Sequence, residues 1–283
     1  MQIIKHYRND EKLRSSFNAL AEATFGLNFE NWYQMGYWTE NYDPYSIVLD
    51  GQVIANVSLN RTDMVIGGER KRLYQLGTVM TYPEYRNRGY IRAIMEEIEK
   101  DTADADGMYL FANDSVVEFY PRFGFVPGKE YLHSKAVTQS GPSCMEQRSM
   151  ALPENREKLA AAMEGSTFLT GCTMVDNPGL IFFYAAQFMQ DCVYYCESLD
   201  CWAIAELEDG ELLLHNVFAA KDVALDAVIG AFGADVKRVV LGFSPWDTEG
   251  YEMTEYREED CNFFVKGQVF GERKLRIPSL SHA

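Results

Sequence analysis

The chain reads as an α+β protein, a mixed central sheet flanked by helices, followed by a second unit built to a similar plan. Three observations carry this. A mostly apolar strand at 73–81 runs through a short turn into a helix at 89–102, with Ile91, Ile94, Met95 and Ile98 on one face. Upstream, strand-like runs at 45–49, 52–59, 61–65 and 71–81 are joined by hairpin signals at Asp50-Gly51 and Gly67-Gly68. Downstream, an order of helix, three strands, helix and strand recurs after Pro153, and 283 residues suit two domains.

In chain order, the first helix is expected over 9–24. Leu13, Phe17, Leu20 and Ala21 form its apolar stripe, Asp10 and Glu11 lie in its first turn, and Gly26 ends it. The aromatic stretch that follows holds Phe29, Trp32, Tyr33, Trp38, Tyr42 and Tyr45, residues that suit either a pocket wall or the packing of helix on sheet. Pro83 stops the 73–81 strand because proline cannot donate to a sheet ladder. A buried strand at 108–112 leads to Ser115-Val-Val-Glu118, a capping box opening a short helix that Pro121 ends near Arg122. Alternating runs at 131–137 and 144–152 read as closing strands of the same sheet, so the first domain is placed at 1–152. Pro153 opens a helix at its first position. The second domain, 153–283, continues with an aromatic helix at 180–189 and strands at 192–198, 201–207 and 211–218. A helix at 222–232 and a strand at 238–243 complete it.

Composition narrows the function. No stretch approaches the roughly 18 apolar residues of a membrane span, and the first residues lack a signal-peptide core, so the expected location is cytoplasmic. Cys144, Cys172, Cys192, Cys196, Cys201 and Cys261 form no C-x-x-C pair and have no histidine at zinc spacing, which points to reduced thiols and no metal. The formal charge of −16 lies mostly in the second half: residues 1–150 carry 16 Lys and Arg against 20 Asp and Glu, the remainder 10 against 22. The tract 247–260, DTEGYEMTEYREED, repels nucleic acid and reads as a solvated loop, or as a collector of amine substrate.

The turn Tyr82-Pro-Glu-Tyr-Arg-Asn-Arg-Gly-Tyr-Ile-Arg92 is the strongest local signal. First-turn N–H groups of the helix after it, and the positive end of its dipole, favour an anion. Gly89 allows a close backbone approach, and Arg86, Arg88 and Arg92 supply charge for a pyrophosphate. There is no G-x-G-x-x-G and no G-K-[ST]. The pattern instead resembles the acetyl-coenzyme A loop of the GNAT acyltransferases, Arg/Gln-x-x-Gly-x-Gly/Ala, with Arg86, Gly89 and Ile91 at the marked positions. Ile91 departs from the small residue usual there, and Gly-x-Ile-Arg is similar to the version in the Eis branch. The stretch Asn113-x(6)-Tyr120-x-x-x-Gly124-Phe125 resembles the second GNAT signature at the expected spacing.

This resemblance implies a GNAT fold for 1–152 and a degenerate GNAT-like domain for 153–283, whose link after 218 has no Gly and no Arg pair for a pyrophosphate. It implies that backbone N–H groups of Val79, Met80 and Thr81 hold the pantetheine arm and the acetyl carbonyl of acetyl-CoA. Asn87, Arg88, Gly89, Tyr90, Ile91 and Arg92, with Arg86, would wrap the pyrophosphate, and Asn113 would bond the pantetheine. Tyr120, with an ordinary pKa of about 10, would protonate the leaving thiolate. The base is open. No Asp, Glu or His lies at 73–78, leaving water, Glu30, Glu40 or Asp43, or the carboxylate of Ala283. The implied activity is N-acetyl transfer to a primary amine of a small molecule or peptide. An acetyl-CoA sensor, or a scaffold using the helix at 180–189 as a homodimer or partner face, is the alternative; Tyr120 favours the enzyme.

Overall fold

The computed structural model describes residues 2–164, 166 and 169–282. The first half runs β1 (Ile3–Ile4), α1 (Glu11–Phe25), α2 (Glu30–Gln34), β2 (Tyr42–Leu49), β3 (Gln52–Arg61), β4 (Met64–Ile66), β5 (Glu69–Lys71), β6 (Leu73–Thr81), α3 (Tyr90–Asp101), β7 (Gly107–Ala112), β8 (Val126–Pro127), β9 (Glu130–Ala136) and β10 (Glu146–Gln147). The second half runs α4 (Pro153–Met163), β11 (Cys172–Met174), α5 (Pro178–Ala185), β12 (Val193–Cys196), β13 (Cys201–Glu208), β14 (Glu211–Ala219), α6 (Leu225–Gly230), β15 (Arg238–Leu241), β16 (Glu252–Tyr256) and β17 (Asn262–Lys266). Among the described residues no helix is long and apolar enough to cross a membrane, and no group of three or more His, Cys, Asp or Glu could hold a metal ion.

Two seven-stranded sheets share one plan. The first is ordered β1-β2-β3-β6-β7-β17-β8 and the second β10-β12-β13-β14-β15-β9-β16. In each, the fourth and fifth strands, β6 with β7 and β14 with β15, are a parallel pair in otherwise antiparallel surroundings. The sixth strand of each sheet comes from the other half of the chain. β17 lies between β7 and β8, and β9 between β15 and β16. A small third sheet, β11-β4-β5, joins the halves again.

This exchange corrects the expectation that 131–137 and 144–152 close the first sheet. Alternation fixes that a segment is a strand and which face it buries, not which sheet accepts its edge. The chain leaves the first sheet at Pro127 and enters the second at Glu130. Gly128, in the link, has Phe263 of β17 so close that a Cβ would lie 2.4 Å from the ring.

Other elements come out shorter than their patterns. The expected helix at 180–189 stops at Ala185, and that at 222–232 spans only α6. The capping box at Ser115 does not form, because Pro121 interrupts a helix there. Two 3₁₀ turns, Asp114–Val116 and Tyr120–Phe123, take its place. Asp10 is the N-cap of α1 and accepts from Lys12 N and Leu13 N, and Gly26 closes the helix at φ 70°. The acidic tract is not merely a loop, since 252–256 form β16. Cys144 lies 3.5 Å from Cys196, a pairing that the spacing did not suggest.

Candidate functional site

The site is made by two strands that part. β6 and β7 pair from Leu73↔Gly107 to Leu76↔Leu110. Beyond that, β7 follows β17 to Asn262↔Ala112, and the β6 edge from Gly77 to Thr81 is left without a neighbouring strand among the described residues. A register shift between Asn56 and Ser58 marks a bulge in β6, where Thr78 adopts φ 40°, an uncommon conformation for a β-branched residue.

Buried polar groups hold this bulge. Asn56 donates from Nδ2 to the Thr78 carbonyl at 3.0 Å and to Ser58 Oγ at 3.0 Å. Thr78 Oγ1 donates to Ser58 Oγ at 2.5 Å and lies 2.9 Å from Tyr42 Oη. Behind them, Ser46 Oγ donates to Asn56 Oδ1 at 2.8 Å and lies 2.7 Å from Tyr7 Oη. Past the bulge, Tyr82 N donates to Ile54 O at 3.1 Å. N–H groups alternate sides along an antiparallel strand, so Met80 also faces β3 while Val79 and Thr81 turn theirs to the open edge.

At the end of β6 a 3₁₀ turn, Pro83–Tyr85, leads into the arginine-rich segment. Asn87 and Gly89 take φ 61° and 79°, and Gly89 caps α3 with no side-chain bond to its first turn. Gly89 is needed for its backbone angle, since the space over it is open. Arg86 Nε donates to Thr81 O at 3.2 Å and Arg88 to Glu84 O at 2.8 Å, which hold the turn while leaving other guanidinium N–H groups for an anion. The Arg88 guanidinium lies 5.3 Å from the centre of the Tyr85 ring.

The open β6 edge and the arginine turn border one cavity of about 840 Å³. Val79, Met80, Thr81, Arg86, Asn87, Arg88, Gly89, Tyr90, Ile91, Arg92, Asn113 and Tyr120, separated by up to 41 positions, line it together. Tyr120 packs against Phe119, Phe125 and Phe264, and burial pushes its hydroxyl up to about 12, not the value near 10 expected from sequence. Among the described residues its hydroxyl has no hydrogen-bond partner. Asn113 donates from Nδ2 to Asp260 Oδ2 at 2.7 Å, which leaves its carbonyl oxygen for a ligand.

The candidate bases lie elsewhere. Glu30 pairs with Arg14 at 2.8 Å, and that hydrogen bond holds its carboxyl below the usual range. Glu40 pairs with Arg8 at 3.3 Å and Asp43 with His6 at 2.7 Å. None of the three is among the residues lining the cavity. Ala283 lies outside the described residues. His282 stacks at 3.7 Å on Phe111, a lining residue, and burial pushes its imidazole down to about 3, which leaves it no hold on a proton near neutrality.

Residues 6–128 match the family model described as an acetyltransferase (GNAT) domain. This segment is a GNAT domain. It covers the unpaired edge, the arginine turn and Tyr120, while β17, which completes its sheet, lies beyond it. No curated protein matches the chain by sequence. A probable N-acyltransferase from Enterococcus faecalis V583 aligns over 99% of this chain and 73% of its own, at TM-score 0.61 and 15% identity. Eis1 from Mycobacterium abscessus aligns over 94% and 73%, at 0.60 and 16%. A GCN5-related N-acetyltransferase from Kribbella flavida aligns over 93% and 70%, at 0.54 and 17%. At such identities the likeness is one of fold, and it extends through the second half of the chain as well as the GNAT domain.

Three contributions were not anticipated. Asn56 and Ser58 shape the bulge, Phe264 of β17 supports Tyr120, and Asp260 holds Asn113. The first had a visible sign, polar residues at alternate positions of an otherwise apolar strand (Asn56, Ser58, Asn60). The others come from more than 130 residues away and had none.

Proposed function

We propose that the GNAT domain transfers the acetyl group of acetyl-CoA to a primary amine by direct attack, with Tyr120 as general acid. One observation carries the reading: the arginine turn, the unpaired β6 edge and the unpartnered Tyr120 hydroxyl border a single cavity. The fit to the co-substrate rests on this chain's donors. The first turn of α3, Arg86, Arg88 and Arg92 suit a pyrophosphate, and the Val79 and Thr81 amides suit an extended amide-bearing arm. Acetyl-CoA, when bound, supplies an activated thioester. Amine attack puts negative charge on its carbonyl oxygen, and fixed N–H dipoles on the β6 edge stabilise that charge without reorganising. Tyr120 Oη holds its proton through the neutral range and delivers it to the departing sulfur. With no carboxylate or imidazole on the cavity wall among the described residues, water takes the amine proton.

Calorimetry with coenzyme A, followed by free-thiol release from acetyl-CoA with a panel of amines, tests the reading. Binding with amine-dependent thiol release is expected. Binding without release from any amine would leave the sensor in its place.

A further inference from the structure

We infer that the acceptor is a single amine carried on an uncharged, apolar or aromatic body, and not a polycation. The inference rests on the transfer reading above and goes beyond it to the class of substrate. Its basis is the lack of a negative counter-charge on the cavity wall. Four lining residues are arginines, Arg86, Arg88, Arg92 and Arg122, and among the described residues none of the lining is Asp, Glu, His or Lys.

Two acids beside Asn113 are already engaged. Asp260 accepts from Asn113 Nδ2 at 2.7 Å and from Asp114 N at 2.6 Å. Asp114 accepts from Asn262 Nδ2 at 2.7 Å and pairs with Arg257 at 3.2 Å. These bonds fix the β16–β17 connection to the end of β7, while Glu84 and Glu118, which adjoin lining residues in sequence, are exposed and not part of the lining. With Arg86, Arg88 and Arg92 turned to the pyrophosphate, a triply charged polyamine would give up hydration for a wall whose described lining offers it no carboxylate, a cost with no compensating pair. The overall charge of −16 does not rescue it. That field acts over the exposed surface, is screened beyond roughly 10 Å at ordinary salt, and affects encounter more than fit.

The remainder of the wall favours an apolar body. Phe25, at the end of α1, is 42% exposed although it borders the cavity, and Leu27, Met80 and Phe119 line it as well. An aryl or alkyl group gains by covering these surfaces, whereas a polycation gains nothing from them. A monoamine also needs to shed only one proton to become both neutral and nucleophilic.

The test begins with coenzyme A binding by calorimetry and continues with thiol release at saturating acetyl-CoA. Tryptamine and 2-phenylethylamine are compared with spermidine and kanamycin, each as kcat/KM. The arylalkylamines are expected to exceed both polycations by about tenfold or more, the factor that one unpaired charge readily supplies. Phe25→Glu, which places a carboxylate on the wall, should shift the spermidine-to-tryptamine ratio upward by a similar factor. Thr24→Glu is the second position should the first variant fail to fold. Polycations used as well as or better than arylalkylamines overturn the inference while the transferase stands, and so does a ratio that neither glutamate moves. Coenzyme A binding with no thiol release from any amine, or no coenzyme A binding at all, removes the transferase reading and this inference with it.

Discussion

Burial against Phe119, Phe125 and Phe264 raises the Tyr120 hydroxyl to about 12, and this has consequences for both catalysis and pH. Against a thiol near 8.5, a phenol at 12 gives up its proton at a cost of about 5 kcal/mol if each is taken alone. The same apolar surroundings that disfavour the phenolate also disfavour a thiolate beside it, so the two rise together and the cost shrinks. Tyr120→Phe keeps the ring packing and removes the proton. Turnover should fall by about 10² or more, with coenzyme A affinity unchanged by calorimetry. Equal turnover would end the acid role. For stability, the folded pKa lies above the unfolded value near 10, so the contribution is complete below pH 10 and is lost as pH rises towards 12. An alkaline limb of kcat near pH 9 therefore cannot belong to Tyr120. On the arginine turn, Arg88→Ala with Gly89→Val removes a guanidinium and forces a β-branched residue to φ 79°, a strain of about 1–3 kcal/mol. Loss of coenzyme A binding is expected, and retained calorimetric binding would mean that this turn does not hold the pyrophosphate.

At the level of β3 and β6, what prepares the site is a bulge held from behind. Asn56 occupies the Thr78 carbonyl, which the register shift takes out of the ladder, and Ser46 in turn holds the Asn56 carboxamide. Asn56→Ala leaves the buried Thr78 carbonyl without the Asn56 donor and takes one of two partners from Ser46 Oγ, which keeps Tyr7 Oη. It should destabilise the fold by about 2–3 kcal/mol in urea unfolding. Because the freed bulge also moves the Val79 and Thr81 amides, coenzyme A affinity should fall with it; an unchanged affinity would separate the bulge from binding. The strand, the turn and the helix at 73–101 were legible from apolar spacing, Pro83 and Gly89, all of them local signals. The bulge was not. Its cause is a contact between Asn56 and Thr78, 22 positions apart, and period-2 alternation does not reveal a skipped residue.

Across the molecule, the two sheets are locked by exchange of their sixth strands, and the second parting of strands is closed from within. β14 and β15 pair only as far as Leu214↔Leu241. There Ser279 N donates to Gly242 O at 2.8 Å, Ser279 Oγ lies 3.0 Å from His215 Nδ1, and a Cβ on Gly242 would stand 2.6 Å from Ser279 Oγ. The repeat of helix and strand order was readable in the sequence, because each unit carries its own periodicity. The exchange was not, because β9 and β17 have the same alternation wherever they pair. Glu130 sits where the chain crosses between the sheets, 6% exposed, with Oε1 accepting from Ile277 N at 2.9 Å. Burial raises its carboxyl to about 7, despite that bond and the nearby Arg276. The folded pKa exceeds the unfolded value near 4.5, so its contribution is whole below pH 4.5 and is lost as pH climbs through 7. Above that, the buried carboxylate costs on the order of 3 kcal/mol. Glu130→Gln keeps an acceptor for Ile277 N and has nothing to ionise. In urea unfolding it should match the parent near pH 5 and exceed it by up to about 3 kcal/mol at pH 8.5. Equal stability at both values would mean that water reaches Glu130 and that the crossing is looser than its packing indicates.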